Sequence, residues 1–365
     1  MKNGHRTLNV IPFLRYPLGM SLFRWLTAPL APLYGAVVKA RNRGFERHPE
    51  RIARAEAPVV SVGNLSTGGT GKTPVTLALA GGLADRGWPN VVLSRGYRGK
   101  RDVDPMDVAP DTNPGEAGDE PVLMARRLGP GRVVVGRKRH AAALRALSFP
   151  SCPRVLLLDD GFQHRALHRD LDLLLLDGVR RWGNGRMLPL GDLREPMSSA
   201  ARADALVVTR GSRADRAAIL AWWEFHGSGG PVFWVDFAIG ALRRLDTGER
   251  RMLPAELGPL LAFCALGHPE AFYADLLVAG LSWVGTRSFL DHHPISPREL
   301  EGLQEAARSA GAEGLVCTEK DAVKFGEAHL KRLDMPLWVA EQSVLGLEPL
   351  QEFVLERLEK QFGSR

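Results

Sequence analysis

Between Ser66 and Thr73 the chain reads Ser66-Thr67-Gly68-Gly69-Thr70-Gly71-Lys72-Thr73, a glycine-rich run closed by a lysine and a hydroxyl. Glycines let consecutive backbone N–H groups point inward at one anion, and the positive end of a following helix adds to that field. A lysine at position 72 would reach the β- and γ-phosphates of a nucleotide, and the Thr73 hydroxyl would hold Mg²⁺. The general pattern places a glycine five residues before Gly71, where this chain has Ser66, so Gly68 and Gly69 must supply the flexibility. Residues Ser66 to Thr73 therefore imply a nucleoside triphosphate site with Mg²⁺. A second chemical run is Leu156-Leu157-Leu158-Asp159-Asp160. Carboxylates at the end of a buried strand sit where open α/β sheets bind ligands, and Asp159 and Asp160 can complete the Mg²⁺ shell that Thr73 begins.

These residues need a strand before the loop and a helix after it. The run from Val59 to Val62 is β-branched and Val75-Thr76-Leu77-Ala78-Leu79-Ala80 has helical character. Further apolar runs at 91–94, 132–135, 155–160, 171–177 and 205–209 alternate with helical stretches, which predicts a parallel-sheet α/β architecture. Residues 100–121, rich in Asp, Pro and Gly, read as a loop. Segments 232–242 and 250–253 flank Asp246-Thr247-Gly248 and predict a β-hairpin. A second α/β unit begins near Leu260 and includes a strand at 315–318. The expected layout is an N-terminal segment (1–45), a P-loop, Rossmann-like nucleotide-binding domain (46–230), a β-hairpin linker (231–256) and a smaller C-terminal α/β domain (257–365).

Bulk properties narrow the class. A chain of 365 residues can build two cores, and a net charge of +7 favours an anionic partner. No basic run is interleaved with aromatics and no zinc-finger spacing occurs, which argues against nucleic acid. Cys152, Cys264 and Cys317 are odd in number and far apart, indicating neither a disulfide framework nor a metal site. From Leu14 to Val38 the chain is apolar and flanked by Arg15, Lys39, Arg41 and Arg43, but Arg24, Pro29 and Pro32 interrupt it. It reads as an amphipathic segment lying on a membrane rather than spanning it.

A switch or assembly ATPase, a GTPase and a kinase all use such parts. Thr318-Glu319-Lys320-Asp321 partly resembles a guanine-reading motif, but its lysine and aspartate are adjacent rather than separated by one residue. Partitioning ATPases usually carry a lysine where Thr67 stands. The full set of motifs closely resembles another family, the tetraacyldisaccharide 4′-kinases of lipid A synthesis. It comprises Gly63-Asn64 with the loop to Pro74, Ser94-Arg95-Gly96-Tyr97, Gly118-Asp119-Glu120-Pro121 and Asp159-Asp160-Gly161-Phe162-Gln163-His164. Leu188-Pro189-Leu190-Gly191, Leu193-Arg194-Glu195-Pro196, Asp291-His292-His293 and Thr318 to Lys324 follow.

The resemblance implies transfer of the γ-phosphate of ATP to the 4′-hydroxyl of an acylated disaccharide 1-phosphate lipid. It also implies a peripheral, monotopic enzyme on the anionic inner leaflet of the inner membrane, with its site facing the cytoplasm and no obligate protein partner. On the same footing, Asp119 is expected as general base, with Glu120 near the metal and His293, less firmly His292, polarising Asp119 from the second domain. Lys72 would lie on the β- and γ-phosphates, and Arg139 and Arg194 are candidates to neutralise the transferring phosphate or, instead, to pair with Asp or Glu. Asn64, Arg95, Tyr97, Arg98, His164, Arg194 and Glu195 are expected on the substrate side. A site split between domains further predicts closure on binding.

Overall fold

The structure is a computed structural model that describes residues 27, 29–255 and 257–363. Residues 1–26 and 28, which carry most of the predicted amphipathic segment, lie outside it. Strands β1 (Val59–Asn64), β2 (Asn90–Ser94), β3 (Met106–Asp107), β4 (Val133–Val135), β5 (Val155–Asp159), β6 (Leu171–Asp177) and β7 (Ala205–Thr209) belong to the first half. Strands β8 (Val232–Arg244), β9 (Arg250–Met252), β10 (Leu260–Cys264), β11 (Trp283–Ser288), β12 (Gly314–Thr318) and β13 (Leu337–Leu345) continue the sheet. The order is β11-β10-β12-β13-β8-β7-β6-β1-β5-β2-β4-β3, with β9 paired to β8. Pairing is parallel except at β3–β4, β8–β9 and β8–β13. The mixed α/β architecture expected from the sequence is thus present.

Strands β1, β2, β5, β6 and β7 are buried throughout, as a parallel sheet covered on both faces requires. Their carboxyl ends share one edge, so Asn64, Ser94, Asp159, Asp177 and Thr209 arrive together at the margin where ligands bind. Helices α1 (Leu30–Arg47), α2 (Lys72–Asp85), α3 (Asp119–Leu128) and α4 (Arg139–Leu147) surround that margin.

The hairpin predicted at 231–256 forms, with β9 antiparallel to β8. However, β8 is more than a linker. Val232–Val235 pairs parallel with β7, and Asp236 onward pairs antiparallel with β13, so one strand carries the sheet from one half into the other. The range expected for the C-terminal unit is also not self-contained. Leu350, Val354 and Leu358 of the helix Glu348–Phe362 join the core cluster that contains Val75, Leu79 and Leu83 of α2. Strands β3, β11 and β13 were not anticipated from sequence. β3 is two residues within the expected loop, and β11 is exposed along much of its length, which blurs its hydrophobic signal.

Candidate functional site

The phosphate loop leaves buried β1 at Asn64 and enters α2 at Gly71, whose φ of 79° only glycine adopts without strain. A side chain there would also run into the Phe237 ring of β8. The segment Asp192–Arg194 lies alongside as a strap. Thr67 N–H donates to the Asp192 carbonyl at 2.7 Å, Arg194 N–H to the Leu65 carbonyl at 2.7 Å, and Ser66 bridges Leu193. Thr209 Oγ1 at the end of β7 donates to the Thr70 carbonyl at 3.0 Å, securing the loop's far side.

Lys72 begins α2 and reaches back over the strand end, with Nζ 3.2 Å from Asn64 Oδ1 and 3.6 Å from Asp160 Oδ1. Arg194 grips Asp160 with two parallel bonds of 2.9 and 2.8 Å and also donates to Asn64 Oδ1. Burial opposes ionisation of Asp160, but the Arg194 hydrogen bonds and the Lys72 charge prevail and hold it well below the ordinary carboxylate range. Asp159 has the opposite setting. Its carboxylate is buried, and among the described residues its donors are the distant Thr76 Oγ1 at 3.4 Å and Ser94 Oγ at 3.5 Å. Burial, then the charges of Glu120 and Asp160, push it up to about 7. Arg139, on the first turn of α4, is also buried and has an unpartnered Nε; burial brings it down to about 10.

Asp119 and Glu120 open α3 after Gly118, at the helix end that favours carboxylates. Asp119 Oδ2 lies 3.1 Å from His292 Nδ1 and 3.7 Å from Lys324 Nζ. Burial opposes ionisation, yet the His292 hydrogen bond and the Lys324 charge hold its carboxyl below the usual value. The assignment of His293 to this role is corrected: His293 Nε2 is 2.9 Å from Glu299 Oε1, in the cap of the helix Pro297–Ser309. His292, whose backbone is left-handed at φ 64°, takes the place beside Asp119. Glu120, expected near a metal, makes an ion pair with Lys320 Nζ at 3.5 Å while still bearing on Asp159 electrostatically.

At the rim, Arg95, Tyr97 and Arg98 are exposed, with the Arg98 guanidinium 5.6 Å from the Tyr97 ring centre. Burial and the charges of Arg139, Arg169, Arg41 and Arg95 push His164 down to about 4. Arg194 and Glu195, expected on the substrate side, face the protein instead. Arg194 is committed to Asp160 and Asn64 as described. Glu195 is 1% exposed, with its oxygens taken by Arg202 at 2.9 and 3.3 Å and by Asn42 Nδ2 at 2.7 Å.

The family described as tetraacyldisaccharide-1-P 4′-kinase (LpxK) matches residues 23–359. The chain belongs to this kinase family. A tetraacyldisaccharide 4′-kinase of Chromobacterium violaceum is 39% identical over 346 residues, covering 93% of this chain and 96% of the relative. One from Geobacter sulfurreducens is 40% identical over 331 residues, covering 89% and 90%. Among solved structures, LpxK from Aquifex aeolicus in complex with ATP superposes with a TM-score of 0.71 at 31% identity, covering 92% of this chain and 99% of that one.

Sequence reasoning missed three cations of this kinase. Lys320 and Lys324 lie on and just after a single helical turn following β12, a segment that was noted only as a motif, and both reach the Asp119–His292 pair. Arg180 lies over the phosphate loop, 2.8 Å from where a Gly68 Cβ would stand. Nothing in the local run Val179-Arg180-Arg181 distinguishes it from a solvated pair.

Proposed function

We propose that this chain transfers the γ-phosphate of ATP to the 4′-hydroxyl of a tetraacylated disaccharide 1-phosphate, a step of lipid A biosynthesis, with Asp119 taking the hydroxyl proton. The observation that carries the reading is the Asp119–His292 contact, which brings a base from the first half and its partner from the second to the edge that bears the phosphate loop. The new O4′–P bond forms as the bond from the γ-phosphorus to the bridging oxygen breaks. ADP departs, and the hydroxyl proton passes to the free oxygen of Asp119. Because the transition state of phosphoryl transfer is loose, orientation and charge neutralisation matter more than base strength. Lys72 and Arg139 supply positive charge toward the transferred group, and the loop from Ser66 to Gly71 supplies N–H donors other than those of Thr67 and Thr70, which bond within the protein.

The residues present suit a divalent cation. Asp159 is a buried carboxylate without a cation directly on it, across from the hydroxyl-bearing start of α2. Among the described residues no cluster of three or more His, Cys, Asp or Glu is arranged for metal binding. Mg²⁺ at nucleotide sites is bound mainly by phosphate oxygens and water, with one or two protein ligands. Thr73 and Asp159 would hold it, and it would neutralise charge on the β- and γ-phosphate oxygens.

Peripheral attachment to an anionic inner-leaflet surface is part of the same reading. It is supported by the +7 charge and by Leu30, Leu33 and Val37, which α1 leaves more than half exposed on one face. No helix among the described residues is long and apolar enough to cross a membrane.

The test is incubation with Mg²⁺, γ-labelled ATP and detergent-dispersed tetraacyldisaccharide 1-phosphate. Label should appear at the 4′ position of the lipid. Lys72→Ala should lower the rate by roughly 10²–10³-fold, the usual cost of losing one charge-stabilising group. ATP hydrolysis without labelled lipid would instead favour an ATPase switch.

A further inference from the structure

We propose that Lys320 is a positioning residue for the transfer: its ammonium donates a hydrogen bond to Nε2 of His292 and keeps that imidazole neutral, with its single N–H directed at Asp119. The inference rests on the reading of Asp119 as the base. Lys320 Nζ lies 3.3 Å from His292 Nε2. An ammonium group has three donors and no acceptor, so the contact exists only if Nε2 carries a bare lone pair. A neutral imidazole with a bare Nε2 has its hydrogen on Nδ1, the atom 3.1 Å from Asp119 Oδ2. Asp291 Oδ2 also faces Nε2 but at 3.8 Å, beyond hydrogen-bond distance, so the nearer contacts to Lys320 and Asp119 select a single tautomer.

The surroundings hold Lys320 in this role. Its side chain is 19% exposed, and its charge is balanced by Glu120 at 3.5 Å and Asp291 at 3.9 Å. The His292 ring is also fixed edge-on against Tyr97, with centroids 6.4 Å apart, and by the left-handed backbone at residue 292. Lys324, 3.7 Å from Asp119, is anchored separately by Asp321 at 3.2 Å and the His293 carbonyl at 3.3 Å.

The consequence is chemical. An imidazolium beside Asp119 would stabilise the carboxylate strongly and weaken it as a base. Lys320 disfavours that state by occupying the Nε2 lone pair. It also removes Nε2 as a proton acceptor, so the substrate proton stops on Asp119. The lysine comes from the turn after β12, His292 from the segment after β11 and Asp119 from α3, so three separate chain segments define one protonation state.

Imidazole ¹⁵N chemical shifts of the full-length protein at pH 7.5, assigned by the signal lost in His292→Gln, read this state directly. The wild type should show a protonated Nδ1 and an unprotonated Nε2 for residue 292. Lys320→Met should replace that pattern with a doubly protonated ring or mixed tautomers and lower kcat about tenfold or more, leaving KM for ATP unchanged. Lys320→Arg, which keeps a cationic donor, should restore much of both. A protonated Nε2 in the wild type overturns the proposal. So does Lys320→Met in which either the ¹⁵N pattern or kcat stays as in the wild type. Transfer that survives Asp119→Ala would instead remove the base assignment while leaving the ¹⁵N result standing, so the two failures are distinguishable.

Discussion

Asp159 and Asp160 are consecutive residues with opposite electrostatics, and the reason is local backbone geometry. Asp159 ends β5 with its side chain buried among hydroxyls, whereas Asp160, at φ 51°, turns toward Arg194 and Lys72. Sequence alone presents them as an interchangeable acidic pair, and it is the turn that separates a carboxylate suited to a divalent cation from one already paired. His164 shows the same dependence on surroundings. Its folded-state value of about 4 lies below the 6.5 of an unperturbed histidine, so the unfolded chain binds the extra proton between those limits. The stability this confers is present above about pH 6.5 and is lost as pH falls toward 4. Urea midpoints at pH 7.5 and pH 5 should therefore converge in His164→Asn relative to the wild type. Equal acid losses in the two proteins would show that His164 is not held neutral.

At the scale of elements, α1 docks on the strap that borders the phosphate loop. Tyr34 Oη donates to the Arg194 carbonyl at 3.1 Å, Asn42 Nδ2 to Glu195 Oε2, and Arg41 to the Gln163 carbonyl. Arg165 on the underlying turn returns a bond of 3.0 Å to the Asn42 carbonyl. The helix proposed to meet the membrane is thus hydrogen-bonded to the residue that clamps Asp160. Glu195 is the buried centre of this contact, and removing it leaves Arg202 largely buried without its partner. Breaking a buried pair in this way typically costs about 3–5 kcal/mol, so Glu195→Ala should lose about 3 kcal/mol in urea unfolding. A loss under about 1 kcal/mol would place Glu195 at the surface, available to substrate after all.

Across the whole molecule, β8 makes the two halves one sheet, and further contacts bring them together at the site. Arg127 pairs with Glu319 at 2.8 Å, and Arg126 donates to the Val323 carbonyl at 3.2 Å. The Asp119–His292 bond lies beside these contacts and is formed in the described conformation, so closure is not needed to create it. The exposed apolar face of α1 makes a prediction at this scale. Full burial of a leucine or valine contributes about 1.5–3 kcal/mol. Leu33→Glu combined with Val37→Glu should therefore weaken flotation with anionic phospholipid vesicles by at least about tenfold. Neither side chain is buried, so the unfolding midpoint should stay in place. Undiminished flotation would move the attachment elsewhere.

The sequence by itself determined the elements whose signals are local. A β-branched run before Ser66-Thr67-Gly68-Gly69-Thr70-Gly71-Lys72-Thr73 is enough to specify strand, loop and helix, because the glycines and the helix start act within a few residues. Leu156-Leu157-Leu158 ending in two aspartates likewise specifies a buried strand with carboxylates at its tip. Tertiary structure decided what depends on which surfaces meet. Adjacent histidines 292 and 293 differ only in backbone angle and neighbours, so pairing with Asp119 could not be read from their order. Lys320 and Arg194 pair with residues on other chain segments, and Glu195 with both nearby Arg202 and distant Asn42; a charge pattern in one dimension does not say whether its mate will be a ligand or another part of the protein.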